Sequence, residues 1–395
     1  MFIDDEEGVE MSLMVILILL LIPLSFFELL FEKSERSQRF LFQIAFFMAF
    51  FVVLIKYYYG TDIKMYTSLY DSIEFVSLYD SSYFEPGFLL FLKFCKAINL
   101  SFWWVTALIT ILYFSALRLI FLQIPKYRIL ALLILVVFDY NLMFFELRQC
   151  MAVAFFLLAY ISHNSQKKIA TFCYLILVIL FHKSGIFMVV MFGITIGMKN
   201  TKVKSYLYGI AIFCMLLLIS LPIERILALV LKVFDDGVVL RSVEHHLLVA
   251  DNFQLVYIVY VLLSVLLYLI AKKEKEASFD SQFVFVSFVL IVLFVKHWFL
   301  LNRIRSYFLP IILMYIFSNQ QHIERKIFKQ IAFSGVVIYM LLTTFLLYRN
   351  IESAKSKVNY PQTIFSLLKH SKSEIIEKTD KRIEKFWKDE YKFTN

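Results

Sequence analysis

The chain reads as an all-α polytopic membrane protein with about 12 transmembrane helices. Three observations predict this class. Of its 395 residues, 61% are hydrophobic, more apolar surface than a soluble domain of that length could bury. The apolar runs are mostly about 15 to 21 residues long and none alternates with period two, so helices fit and a porin-like barrel does not. Lys and Arg fall in short clusters between those runs, so the net charge of +9 reports topology rather than a nucleic-acid partner.

The first run, residues 11–31, is too long for a signal-peptide core and lacks a preceding basic region and a small-residue cleavage site, so it reads as a retained span. Acids Asp4, Asp5, Glu6, Glu7 and Glu10 precede it, and Lys33, Arg36 and Arg39 follow it, which places the N-terminus outside. Residues 40–55 return outward to a first outer loop, 56–87, rich in Tyr and acids. Residues 88–98 are apolar but short and broken by Lys93 and Lys96, so they suit a re-entrant or interfacial helix.

Residues 102–122 lead in to Lys126 and Arg128, 129–145 lead out, and 147–161 lead back to Lys167 and Lys168. Residues 169–181 and 185–198 form a short pair around an outer elbow at His182. Residues 206–221 reach a second outer loop, 222–252, whose 224–234 portion reads as an amphipathic surface helix. Residues 253–270 return to Lys272, Lys273 and Lys275; 283–301 emerge at Arg303 and Arg305, 307–317 dip back, and 331–348 make the last crossing. The organisation is therefore one membrane unit, 1–350, and a charged tail, 351–395, with weak helical periodicity near 375–386. Cys95, Cys150, Cys173 and Cys214 lie in or beside apolar segments without a C-x-x-C pair, which suits buried thiols. No internal repeat is evident and Gly is scarce, which weighs against an inverted-repeat carrier.

Glu85, Arg148, His182, Arg303 and Arg305 all emerge opposite the basic clusters. An arginine costs roughly 2.5–3.5 kcal/mol at a bilayer centre, so such breaks belong at a wet cavity with a partner. Arg148 and Gln149 open a helix, where backbone N–H groups add to the guanidinium fork and suit a pyrophosphate. The plain alternatives are a snorkelling side chain or an ion pair with Glu146, which needs local unwinding because residues two apart diverge on a helix.

Arg303 and Arg305 are also two apart, so one faces the cavity and the other holds lipid headgroups; Arg303 is the choice for the site because Tyr307 and Phe308 lie one turn away. Lys296 and His297 either line the cavity or mark an earlier end to that span. His182, beside Lys183 and Ser184, supplies an acid, a base or a phosphate contact, unless it merely caps the elbow. Glu85, extended before Pro86, is either a helix cap or a base for a sugar hydroxyl. Asp62, Tyr66 and Tyr70, at spacing four, form a carbohydrate-facing stripe or pack a loop helix onto the membrane.

The adjacent pairs Asp235-Asp236 and His245-His246 lack metal-ligand spacing and suit a solvated loop, so no metal is expected. There is no dinucleotide fingerprint, Walker A, H-E-x-x-H or nucleophile elbow, and no cofactor is expected.

In the ordered set Asp62 with Tyr66, Glu85-Pro86-Gly87-Phe88, Leu147-Arg148-Gln149 with Ala152, Phe181-His182-Lys183-Ser184, and Arg303 with Tyr307-Phe308, the sequence resembles the EpsG family of Wzy-like bacterial polysaccharide polymerases. Glu146 and the long tail depart from the pattern. The resemblance implies a GT-C-like architecture with two long extracytoplasmic loops in the bacterial cytoplasmic membrane. It implies a glycosyltransferase that polymerises undecaprenyl-pyrophosphate-linked oligosaccharide repeat units on the outer side. Donor and acceptor are both lipid-linked glycans, a chain-length regulator is a further partner the resemblance admits, and nucleic acid is not one.

Arg148, His182, Arg303 and Glu85 are then the catalytic candidates, and Gln149, Lys183, Arg305, Asp62, Tyr66 and Tyr307 the substrate-binding ones. The rival class is a carrier that flips lipid-linked oligosaccharide; a related glycan ligase or acylating enzyme is the third.

Overall fold

The computed structural model describes residues 13–30, 34–57, 62–77, 84–198, 278–294 and 298–319, with short pieces within 207–210, 267–271 and 371–381. The second outer loop, Asp235-Asp236, His245-His246, Lys296, His297, the crossing at 331–348 and most of the spans at 206–221 and 253–270 lie outside the described residues.

Among the described residues the chain is helical and holds no β-strand. Helix α1 covers Leu13–Leu30, and α2, Glu35–Leu54, starts where Ser34 Oγ accepts the Ser37 N–H at 3.3 Å. The first outer loop contains α3, Ile63–Asp71, and a single 3₁₀ turn at Ile73–Phe75. Pro86 at the first helical position opens α4, Pro86–Ala97, the short helix expected there.

Helix α5 spans Phe102–Phe121. The run read from sequence as one span, 129–145, is broken: α6 ends at Phe138, Asp139 interrupts it, and α7 covers only Tyr140–Phe144. The physical reason is Asp139 itself, which binds a neighbouring helix rather than continuing its own. Then follow α8, Leu147–Asn164; α9, Lys168–Phe181; and α10, Gly185–Gly197. Helix α11 is Phe279–Phe294, and α12 is Trp298–Ser318. The sequence placed the exit of that region at Arg303 and Arg305. Instead α11 stops at Phe294, and both arginines lie one to two turns inside α12, which is the earlier end that Lys296 and His297 offered.

Helix α8 is central, packed against α5, α9 and α12. Its Phe156 meets Phe192, Phe283 and Tyr307 at centroid distances of 5.9, 5.9 and 5.7 Å, an aromatic node joining α8, α10, α11 and α12. Large apolar side chains also face outward at helical spacing, Phe40, Ile44, Phe47 and Phe51 on α2 and Ile169, Phe172, Ile176 and Ile179 on α9. Water does not favour such stripes; lipid does. Helices α2 and α5 are long and apolar enough to cross a bilayer, and several shorter apolar helices pack with them.

Candidate functional site

Five helix ends meet at one end of the bundle. Glu85 is extended, with φ −71° and ψ 143°, as a residue before proline must be. Gly87 lets the start of α4 lie against the last turn of α9: a Cβ there would stand 2.7 Å from the Leu180 carbonyl oxygen. That approach brings Glu85 Oε1 to the Lys183 N–H at 3.0 Å, and its Oε2 accepts from Arg148 Nη1 at 2.7 Å. Arg148 also donates to the Tyr66 hydroxyl at 3.4 Å and lies 5.0 Å from the centre of the Phe84 ring.

The partner of Arg148 is thus Glu85, 63 positions away, and not Glu146. Glu146 precedes α8 with φ −96° and ψ 69°, so the unwinding that pairing required is present while the pair is not. Burial works to raise the Glu85 carboxyl, but the Arg148 guanidinium and the Lys183 N–H outweigh it and hold it below the ordinary carboxylate value.

His182 follows α9 with extended backbone and is buried. Its Nδ1 accepts the Ser184 N–H at 3.3 Å, which leaves the ring proton of a neutral imidazole on Nε2. Ser184 Oγ lies 2.6 Å from that nitrogen and 3.1 Å from the Tyr307 hydroxyl, so a chain runs from α12 through Ser184 to His182. Gly185 is required for the same fit, since a Cβ would meet Val178 Cγ1 at 2.5 Å. Burial pushes the His182 ring down to about 4, opposed by Glu85 and reinforced by Arg148, Arg303 and Lys183. At neutral pH the ring is therefore neutral. It can donate a hydrogen bond, but it adds no positive charge and is a weak base.

Gln149 is buried and donates to the Arg303 carbonyl at 2.7 Å, fixing the first turn of α8 to the second turn of α12. Arg303 is half-buried beside Glu146, whose carboxyl burial pushes up to about 7, opposed by Arg303 and reinforced by Asp139 and Asp62. Arg305 does not hold lipid headgroups. It is 2% exposed, pairs with Asp139 at 3.4 Å and binds the Phe138 carbonyl and Asn302 Oδ1. Ser306 Oγ donates to the same Asp139 at 3.0 Å.

Glu85, Arg148, His182, Lys183, Tyr66 and Tyr307 are brought together, with Gln149 tying Arg303 alongside. Asp62 precedes α3 as its cap residue, half-buried. Tyr66 and Tyr70 are 2% and 3% exposed, and Tyr70 donates to the Leu100 carbonyl at 2.7 Å, so the packed loop helix describes them better than an open stripe. Two residues the sequence reading passed over belong to this end. Asp139 was visible as a lone acid inside an apolar run. Lys56 is buried after α2 and donates to the Met143 carbonyl at 2.6 Å. Its place at the start of the first outer loop read as solvated, which hid it.

Described residues that are helical, with lipid-suited outer faces and a polar cluster gathered at one end of the bundle, define a class, the helical membrane proteins. The EpsG family profile matches residues 39–361, and the chain belongs to that family. Membership carries a broad role in polysaccharide polymerisation and fits a membrane protein. No curated protein and no solved structure matches the chain.

Proposed function

We propose that the protein joins lipid-linked oligosaccharide repeat units into a surface polysaccharide, at the outer face of the cytoplasmic membrane, with undecaprenyl pyrophosphate as leaving group. About 12 crossings, a GT-C-like arrangement, outer placement of the second loop and the division at residue 350 are parts of the same reading. The observation that carries it is the Glu85–Arg148 ion pair at 2.7 Å, at the meeting of α3, α4, α8, the α9–α10 elbow and α12.

In the reaction the acceptor hydroxyl oxygen attacks the donor's anomeric carbon, the bond from that carbon to the pyrophosphate oxygen breaks, and its electron pair leaves on the pyrophosphate. The bond itself stores the driving force, so no nucleotide is needed. Developing negative charge calls for preorganised cations, the role assigned to Arg148 and Arg303. Pyrophosphate would share or displace Glu85 on Arg148, and Lys183, exposed at the elbow, adds charge at the entrance. His182 contributes a neutral Nε2–H donor.

Both Glu85 oxygens are engaged, which suits a clamp that aims Arg148. Glu146, with its carboxyl near 7 beside Arg303, is better matched to accept the hydroxyl proton. The test is the surface polysaccharide of a deletion strain complemented with Arg148→Ala. Single repeat units in place of long chains, at unchanged membrane abundance, support polymerisation; loss of all surface units supports the flippase instead.

A further inference from the structure

A cavity of about 400 Å³ adjoins the Arg148 cluster without including it, and Tyr66 is the wall between them. Its inner side is built by α3 and the start of α5, including Tyr70 and Trp103. Its outer side is closed by Lys372, Ile376 and Asp380. Those three come from a segment beyond the family region, which ends at residue 361.

That segment is folded, and for a legible reason. Glu374 Oε2 accepts the Ser371 N–H at 2.9 Å while Ser371 Oγ accepts the Glu374 N–H at 3.3 Å, a reciprocal capping box that starts the helix at 372–377. Ile375 is 2% exposed, and Asp380 meets Lys64 of α3 at 3.4 Å. Asp380 therefore ties this short segment to α3 at the same end of the bundle as Arg148.

We propose that the helix at 372–377, with Asp380, completes a saccharide subsite against α3 and α5, holding the acceptor glycan beside Arg148; this rests on the polymerase reading above. The volume lies within the range of about 300–1,000 Å³ usual for small-molecule sites, and the lining has the matching chemistry. Sugar rings present C–H faces that stack on aromatic rings and hydroxyls that need donors and acceptors. Half-buried Trp103 offers a face, and Lys64, Lys96, Lys372 and Asp380 on the same lining offer the polar groups. Among the described residues the buried Trp103 Nε1–H has no hydrogen-bond partner. A glycan there would reach the cluster past Tyr66, whose hydroxyl already touches Arg148.

The test is calorimetric binding, to the purified full chain in nanodiscs, of lipid-free oligosaccharide released from the host's own surface polysaccharide by mild hydrolysis. Saccharide binding to the wild type, weakened by about fivefold or more in Trp103→Phe and in Ile376→Asp at unchanged melting temperature, supports the subsite. Asp380→Asn, a change of nearly equal shape at a half-buried position, should weaken binding in the same direction. Equal binding by all the variants, or none by the wild type, overturns the subsite and leaves the polymerase reading standing. Long chains still made by Arg148→Ala would instead overturn the polymerase reading itself.

Discussion

At the end of the bundle where α8 begins, charged side chains converge from five elements onto one another. At the opposite end, where α8 stops, the polar contacts only fasten one helix to the next. There Glu28 of α1 accepts the N–H groups of Ile129 and Leu130 at 3.0 and 3.1 Å, capping α6 from a distant helix. Tyr160 binds Asp280, Asn164 donates to the same carboxylate at 3.0 Å, and Ser318 reaches the Gln123 carbonyl. Each of these contacts satisfies a helix terminus or a single side chain. Buried charge occurs at both ends, Glu28 and Arg128 at the second and Glu85 at the first. At the first end, however, Glu85 and half-buried Arg148 are linked across several elements beyond what capping needs, which supports reading that end as the functional one.

Four substitutions test that contrast. Glu146→Gln should lower polymer synthesis by about 10²–10⁴-fold. Because the ionised carboxylate is the base, the wild-type rate should climb as pH rises through about 7, and the variant should lose that limb; a rate–pH profile on membranes reads both. Asp139→Ala leaves Arg305 buried without its acid and should cost about 3–5 kcal/mol, seen as a lower melting temperature and reduced abundance. Arg148→Ala should reduce chain formation by about 10²–10³-fold at normal abundance, read as the ratio of long chains to single units on a gel. Tyr160→Phe, at the opposite end, should cost about 1.5–3 kcal/mol of stability and leave the polymer length distribution untouched. Shortened polymer in Tyr160→Phe would erase the difference between the two ends.

Much of the fold was legible because hydropathy and basic clusters constrain where helices start and stop. The α9–α10 pair and its elbow fall where the sequence put them, as does α4 after Glu85-Pro86-Gly87. The break at Asp139 was not legible, because averaging over an apolar run hides a single acid whose partner lies 166 positions away. The Arg303 and Arg305 turn was misplaced for a related reason. Two arginines look like a loop until one of them has a buried carboxylate to pair with.

Within the site, the sequence supplied the groups but not their pairing. Arg148 and Glu146 are neighbours in the chain, yet Gly87 permits the close approach that makes Glu85 the partner. His182 looked like a titrating residue, and only its burial among cations shows it to be neutral.

The most direct measurement is the affinity of the purified protein in nanodiscs for undecaprenyl pyrophosphate, compared across wild type, Arg148→Ala, Arg303→Ala and Glu28→Ala. The account predicts binding about tenfold or more weaker in the two arginine variants and unchanged in Glu28→Ala. Equal affinity in wild type and Arg148→Ala, or a loss in Glu28→Ala as large as in Arg148→Ala, would contradict it.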